Sequence, residues 1–227
     1  MGLEWAGVGH TVWQVEFNPF CRDVLAKHWP DVQRFNDVRE VGAHNLEPVD
    51  VICGGYPCQP FSLAGKRGGE HDPRHLWPEF SRILRELRPR YAVLENVAAL
   101  LTRGIGAVLG TLADLGYDAE WSVLRSCEVG APYARPRVFV VARANGEQLG
   151  RDRREEHHPA AHRGRDVDGT GRAMARQWEQ WTQEPGVDRV AYGVPRQVDR
   201  NRALGNAVTP QLAAVVGHRL LQIDAMT

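Results

Sequence analysis

Val49-Asp50-Val51-Ile52-Cys53-Gly54-Gly55-Tyr56-Pro57-Cys58-Gln59-Pro60-Phe61-Ser62 runs from a short apolar segment into a proline-flanked loop. The segment is β-branched and breaks at a glycine pair, the pattern of a buried strand that delivers its C-terminal end into a loop. In open α/β sheets that edge is where ligands bind. Cys58 follows, held between Pro57 and Pro60, whose rings each fix one φ angle, so the sulfur is aimed rather than left to wander. A lone cysteine in a turn is usually a small hydrophobe.

The flanking sequence alternates strands with helices. Thr11 to Glu16 reads as a strand closed by Asn18-Pro19, and Phe20 to Trp29 has helical spacing that stops at Pro30. Val49 to Cys53 is a second strand. Gly55 to Arg74 is rich in Gly, Pro and charge and reads as a mobile loop. Leu76 to Leu87 is amphipathic, with Phe80, Ile83, Leu84 and Leu87 on one face. Tyr91 to Glu95 is a strand, Val97 to Leu115 is helical but interrupted by Gly104 and Gly106, and Tyr117 to Leu124 and Val138 to Ala142 are further strands. Order returns at Val194 to Arg202, before a helix from Thr209 to Ile223. The alternation predicts an α/β fold built on a doubly wound, mostly parallel sheet. Between Arg143 and Gly186 the chain turns charged and aperiodic, the composition of a solvated loop or disorder, with Trp178 and Trp181 as its possible anchors.

Composition narrows the class. The 227 residues fit one domain with at most a small appendage, and 43% apolar content supplies a core. A formal net charge of zero gives no overall pull toward a polyanion, so any nucleic-acid contact must be local. The 26 arginines against Lys27 and Lys66 suit phosphate and base-edge contacts, although codon usage in a GC-rich genome gives the same bias. Four cysteines without paired spacing argue against disulfides and zinc, and for a reducing compartment. His157, His158 and His162 lack a nearby cysteine, so no metal is expected. No leader and no apolar run of membrane-spanning length is present, which places the protein in the cytoplasm, off the membrane.

Four motifs in one order add to this reading. Gly55-Tyr56-Pro57-Cys58-Gln59, Glu95-Asn96-Val97, Tyr133-Ala134-Arg135-Pro136-Arg137 and Gly205-Asn206-Ala207-Val208 resemble the nucleophile loop, the Glu-Asn-Val strand end, the Arg-x-Arg motif and the Gly-Asn-Ala-Val turn of the cytosine-5 DNA methyltransferases. The resemblance covers nearly the whole chain. It implies a Rossmann-like methyltransferase fold, S-adenosylmethionine as methyl donor and double-stranded DNA as substrate. It also implies a monomer that works beside a cognate restriction endonuclease. The base leaves the helix to reach the site.

The resemblance assigns roles by position. Cys58 would add to cytosine carbon 6, since carbon 5 is a poor nucleophile until something does. Glu95, protonated through burial at a strand end, would hydrogen-bond ring nitrogen 3. Arg137 would contact the base O2, with Arg135 supporting the loop or the glutamate. Glu16 would accept from the ribose hydroxyls of the methyl donor, Phe17 would stack on its adenine, and Asp37 would sit near its amino group. Pro57, Leu76 and Asn206 also occupy cofactor-contacting positions. Ser62, Lys66 and Arg67 are candidate phosphate contacts on the loop.

Departures from the family are equally specific. Tyr133 stands where the family has Gln. Met1 to Gly7 resembles the helix after the family's first strand and its Phe-x-Gly-x-Gly-Gly turn, so that strand and turn are expected to be absent, most simply through a misplaced start codon. Two strand edges would then be exposed and cofactor binding weakened. The expected organisation is a catalytic core over 1–142, a short target-recognition region over 143–193 and a return to the core over 194–227. Two alternatives stay open. One is a truncated DNA-binding remnant that is weakly active or inactive; the other is the tRNA-modifying branch of the same family.

Overall fold

The computed structural model describes residues 1–56, 76–145 and 206–226. Pro57, Cys58, Ser62, Lys66 and Arg67, the loop expected up to Arg74, and the ordering expected at Val194 to Arg202 lie outside the described residues. So does most of the target-recognition region. The chain divides into two compact units, one of Met1–Leu124, Pro136–Leu149 and Val208–Thr227, the other of Arg125–Arg135 and Gly150–Ala207.

In the first unit, α1 (Gly2–Trp5) precedes β1 (Trp13–Val15) and α2 (Pro19–His28). Asn18 caps α2 by accepting from the N–H groups of Phe20 and Cys21 at 2.9 and 3.2 Å, with Pro19 at the first helical position. A strand not expected from the sequence follows, β2 (Gln33–Phe35), which pairs parallel with β1. Three residues with two polar side chains carry no strand signal of their own, and the pairing with β1 supplies the extended form. β3 (Val51–Gly54), α3 (Trp77–Leu87) and β4 (Tyr91–Val97) come next. Ile83, Leu84 and Leu87 bury the apolar face of α3, and Arg88 ends it in the left-handed region (φ 51°) ahead of Pro89. The helical stretch expected over Val97 to Leu115 is two helices, α4 (Leu100–Arg103) and α5 (Ile105–Asp114), parted at Gly104 as expected, while α5 continues through Gly106. β5 (Tyr117–Arg125), β6 (Pro136–Ala144) and α6 (Pro210–Ala225) complete the described elements.

The strands form two sheets. One is β1-β2; the other has the order β3-β4-β6-β5, with β3 parallel and β6 antiparallel to β4. The α/β class stands, and among the described strands β1 and β3 are sheet edges. The core lies on the larger sheet, where Leu84, Leu94, Leu112, Val138 and Val140 are at most 2% exposed. None of the described helices is long and apolar enough to cross a membrane.

Close packing of α1 on α6 depends on two glycines. Gly2 abuts the Pro210 carbonyl, and a Cβ at Gly217 would lie 2.7 Å from Ala6 Cβ and 3.2 Å from a Val8 methyl. Gly110 on α5 has nothing within 4 Å of the same position. Gly217→Ala should therefore lower stability by about 1–3 kcal/mol through overpacking. Gly110→Ala should raise it by a few tenths to about 1 kcal/mol through helix propensity. Thermal unfolding of the two variants checks that the signs are opposite.

At the base of the larger sheet, the Tyr91 hydroxyl donates to Asp224 Oδ1 at 2.9 Å, and Arg90 pairs with the same oxygen at 2.8 Å, which ties α6 to β4. The Tyr117 hydroxyl donates to the Pro89 carbonyl at 2.7 Å. Burial, joined at Tyr91 by the hydrogen bond to Asp224, pushes both phenols up from 10.0 to about 12. The protonated phenols thus favour the fold fully below pH 10, and that stability is lost as the pH rises to about 12. Spectrophotometric titration should show two tyrosines ionising late and together with unfolding, and Tyr117→Phe should remove one of them.

Candidate active site

Three strand ends converge in the first unit. β3 leaves the sheet through Gly54, Gly55 and Tyr56, on the way to Pro57 and Cys58. Leu94 of β4 is the register partner of Gly54, so Glu95 stands beside the glycine that follows. A Cβ at Gly55 would lie 2.9 Å from Glu95 Oε2, so this carboxylate meets bare backbone. β6 runs back along β4 with Val97 opposite Arg137 and Glu95 opposite Phe139. Period-two alternation then puts Glu95 and Arg137 diagonally on one face. Arg137 Nε reaches Glu95 Oε1 at 2.9 Å, with the side chains only 18% and 13% exposed, and another guanidinium nitrogen donates to the Pro136 carbonyl at 2.9 Å.

An aromatic wall backs the β3 exit. Tyr56 packs on Trp77 with ring centroids 5.3 Å apart, and Trp77 stacks with Phe80 at 6.0 Å. Phe80 in turn covers Gly54, where a Cβ would lie 2.7 Å from its ring. Leu76 starts α3 here and packs against the core, half-buried. Asn96 is 4% exposed, and its Nδ2 donates to the Tyr56 carbonyl at 3.2 Å while its Oδ1 accepts from the Val97 N–H at 2.9 Å.

Three of the expected cofactor residues, Glu16, Phe17 and Asp37, lie just past the carboxyl ends of β1 and β2. The Glu16 N–H extends the β1–β2 ladder by donating to the Phe35 carbonyl at 3.0 Å. Its Oε1 accepts from the Asn18 N–H at 2.7 Å, and among the described residues no donor reaches Oε2. Phe17 is 75% exposed, and Arg22 donates to the carbonyls of Glu16 and Phe17 at 3.2 and 2.9 Å, fixing the turn between β1 and α2. Asp37 is already engaged: it caps the short 3-10 helix Val38–Glu40 through the Arg39 N–H at 2.9 Å and pairs with the Arg39 guanidinium at 3.3 Å.

Arg135 and Asn206 belong to the second unit. There the Ser126 N–H donates to the Ala134 carbonyl at 2.8 Å, closing a turn whose end holds Arg135 at φ 26°, an uncommon conformation for a residue with a Cβ. Tyr133 is 45% exposed and Asn206 is exposed.

The structure therefore brings together Gly55, Glu95 and Arg137, places Glu16 and Phe17 at one strand end, and engages Asp37 elsewhere. Sequence reading left Asn96, Tyr56 and Trp77 without a role. The available signal was an amide inside the apolar strand Leu94 to Val97, since a buried polar side chain must find a partner.

Parallel β–α–β units define a Rossmann-like α/β protein, and solved structures similar to it include methyltransferases. DNMT2 of Spodoptera frugiperda superposes with a TM-score of 0.52 at 25% identity, covering 68% of this chain and 50% of that one. A prophage-encoded E. coli protein assigned as a DNA modification methyltransferase gives 0.51 at 28% identity, covering 63% and 43%. The chain belongs to the C-5 cytosine-specific DNA methylase family, whose profile matches residues 1–178. Among curated relatives, the Type II methyltransferase M.NgoMIV of Neisseria gonorrhoeae is 37% identical over 150 residues, 64% of this chain and 48% of that protein. M.AquIA of Picosynechococcus sp. is 30% identical over 198 residues, 77% and 78% of the two chains. The chain spans half the length or less of most of these relatives, with 44% for M1.HphI of Haemophilus parahaemolyticus.

Proposed function

We propose that this chain is the catalytic part of a cytosine-5 DNA methyltransferase, which moves a methyl group from S-adenosylmethionine to carbon 5 of cytosine in double-stranded DNA. The observation that carries the reading is the Glu95–Arg137 pair packed against the bare Gly55 backbone, three residues before Cys58.

Each residue has a task that its chemistry suits. The Cys58 thiolate adds to carbon 6 of a flipped cytosine, which makes carbon 5 nucleophilic. Charge that develops on the ring is met by two groups: the Glu95 carboxyl at ring nitrogen 3, which takes up a proton once the base has separated it from Arg137, and the Arg137 guanidinium at O2. In the free site these two groups hold each other at 2.9 Å, so the entering base must part them. Arg135 supports the Arg-x-Arg turn. Once carbon 5 carries the methyl group, its proton passes to a base and the carbon 6–sulfur bond breaks, which restores the ring double bond and releases the Cys58 thiolate.

Residues at the end of β1 fit the methyl donor. Glu16 Oε2, which meets no donor among the described residues, would take a ribose diol, and the exposed Phe17 ring offers a face to adenine. S-adenosylmethionine supplies an electrophilic methyl group. Pro57, Leu76 and Asn206 are the further family positions proposed to contact it, whereas Asp37 would have to release Arg39 to take the adenine amino group. Ser62, Lys66 and Arg67 contact DNA phosphates. Residues 143–193 read the target sequence between core segments 1–142 and 194–227. The setting is a cytoplasmic restriction-modification pair, with the protein acting as a monomer beside its endonuclease.

A second reading, a DNA-binding remnant with weak or no activity, draws support from the division of the strands into two sheets. Labelled methyl transfer from S-adenosylmethionine to mixed-sequence duplex DNA and to tRNA separates the possibilities. Transfer to DNA supports the enzyme. Salt-sensitive DNA binding without transfer selects the remnant. Transfer confined to tRNA selects the RNA-modifying branch.

A further inference from the structure

We infer that Asn96 is a positioning residue, which fixes the direction in which the chain leaves β3 toward Cys58. The inference rests on the proposed role of Cys58 as nucleophile. Asn96 is buried, and its amide can be assigned in only one sense, because Nδ2 faces the Tyr56 carbonyl and Oδ1 faces the Val97 N–H.

The Tyr56–Pro57 link makes this contact unusually effective. Proline has no N–H, so the Tyr56 carbonyl is the only backbone polar group of that peptide unit through which the protein can orient it. Asn96 holds this carbonyl from one side while Trp77 packs on the Tyr56 ring from another. With that carbonyl held, the direction in which the chain leaves β3 is set at Tyr56. The neighbouring residue, Glu95, faces Arg137 and Gly55. One dipeptide thus sets both the carboxyl and the exit of the strand that carries the thiol. A displacement of about 1 Å between such groups lowers catalysis on the order of 10²-fold.

Asn96→Asp puts an acceptor where the donor stood, and Asn96→Ser removes the reach without adding charge. Both are expected to lower kcat for methyl transfer about 10- to 100-fold with KM for DNA and for S-adenosylmethionine within about threefold. In Asn96→Asp the deficit relative to the parent should shrink toward acid pH, because a protonated Asp again has a hydrogen to donate to the carbonyl. A packing role alone would not give that pH dependence. Alkylation of Cys58 by iodoacetamide, read by mass spectrometry on the Cys58 peptide, should change at least several-fold in Asn96→Ser whether or not the protein transfers methyl groups. If the parent protein transfers no methyl group while the alkylation rate still shifts, the function reading fails and the positioning inference stands. A folded Asn96→Ser protein with parental kcat, or with parental alkylation where there is no turnover, overturns the inference.

Discussion

Cys58→Ala is expected to lower methyl transfer on the order of 10⁴-fold or more while leaving duplex binding within a few-fold of the parent protein. The size follows from the chemistry of the ring. Carbon 5 of cytosine acquires carbanion character only after a nucleophile has saturated carbon 6, and a thiolate combines nucleophilicity near neutral pH with the ability to leave again. In the proposed mechanism Glu95 and Arg137 would stabilise charge on the ring without forming a bond to it, so neither would replace the thiol. Labelled methyl incorporation measures the loss, and filter binding measures the DNA affinity. Transfer above about one part in a hundred in the variant would place the nucleophile elsewhere and remove the basis for the Cys58 assignment.

The next largest effect should come from Gly55→Ala, with methyl transfer reduced about 10²- to 10³-fold and stability changed by less than about 1 kcal/mol. The two readouts separate because of what the new methyl group meets. Its nearest neighbour is Glu95 Oε2 at 2.9 Å, the far end of a flexible side chain, and the Glu95 carbonyl is at 3.5 Å. The carboxylate swings aside at little cost to the fold, but in doing so leaves the position from which it pairs with Arg137 and would meet the base. A loss of stability comparable to the loss of activity would mean that Gly55 serves the backbone instead. Parental activity would mean that Glu95 has no fixed place in the reaction.

Much of this architecture is legible along the chain. The strand before Gly54, the helix face of Ile83, Leu84 and Leu87, and the cap Asn18-Pro19 are local signals, each carried by residues within a turn or two of one another, and the structure realises each to within a few residues. β2 escaped notice because its extended form comes from β1 rather than from its own three residues. Of the two interruptions expected in the helical stretch, Gly104 parts α4 from α5, whereas α5 runs on through Gly106 because a single glycine is tolerated inside a helix.

What the sequence by itself determined is the inventory: an α/β alternation, a proline-flanked thiol after a glycine pair, and the Glu-Asn-Val and Arg-x-Arg motifs that mark the family. Backbone stereochemistry and side-chain identity are local properties, so they can be read in order along the chain. Only the tertiary structure decided that Glu95 holds Arg137, that Gly55 leaves room for the carboxylate, that Asn96 grips the Tyr56 carbonyl and that the strands part into two sheets. Those contacts depend on the register of β4 against β3 and β6. Strand register is set by which faces of distant segments can be buried together, so it belongs to the packed whole and to no single stretch of the chain.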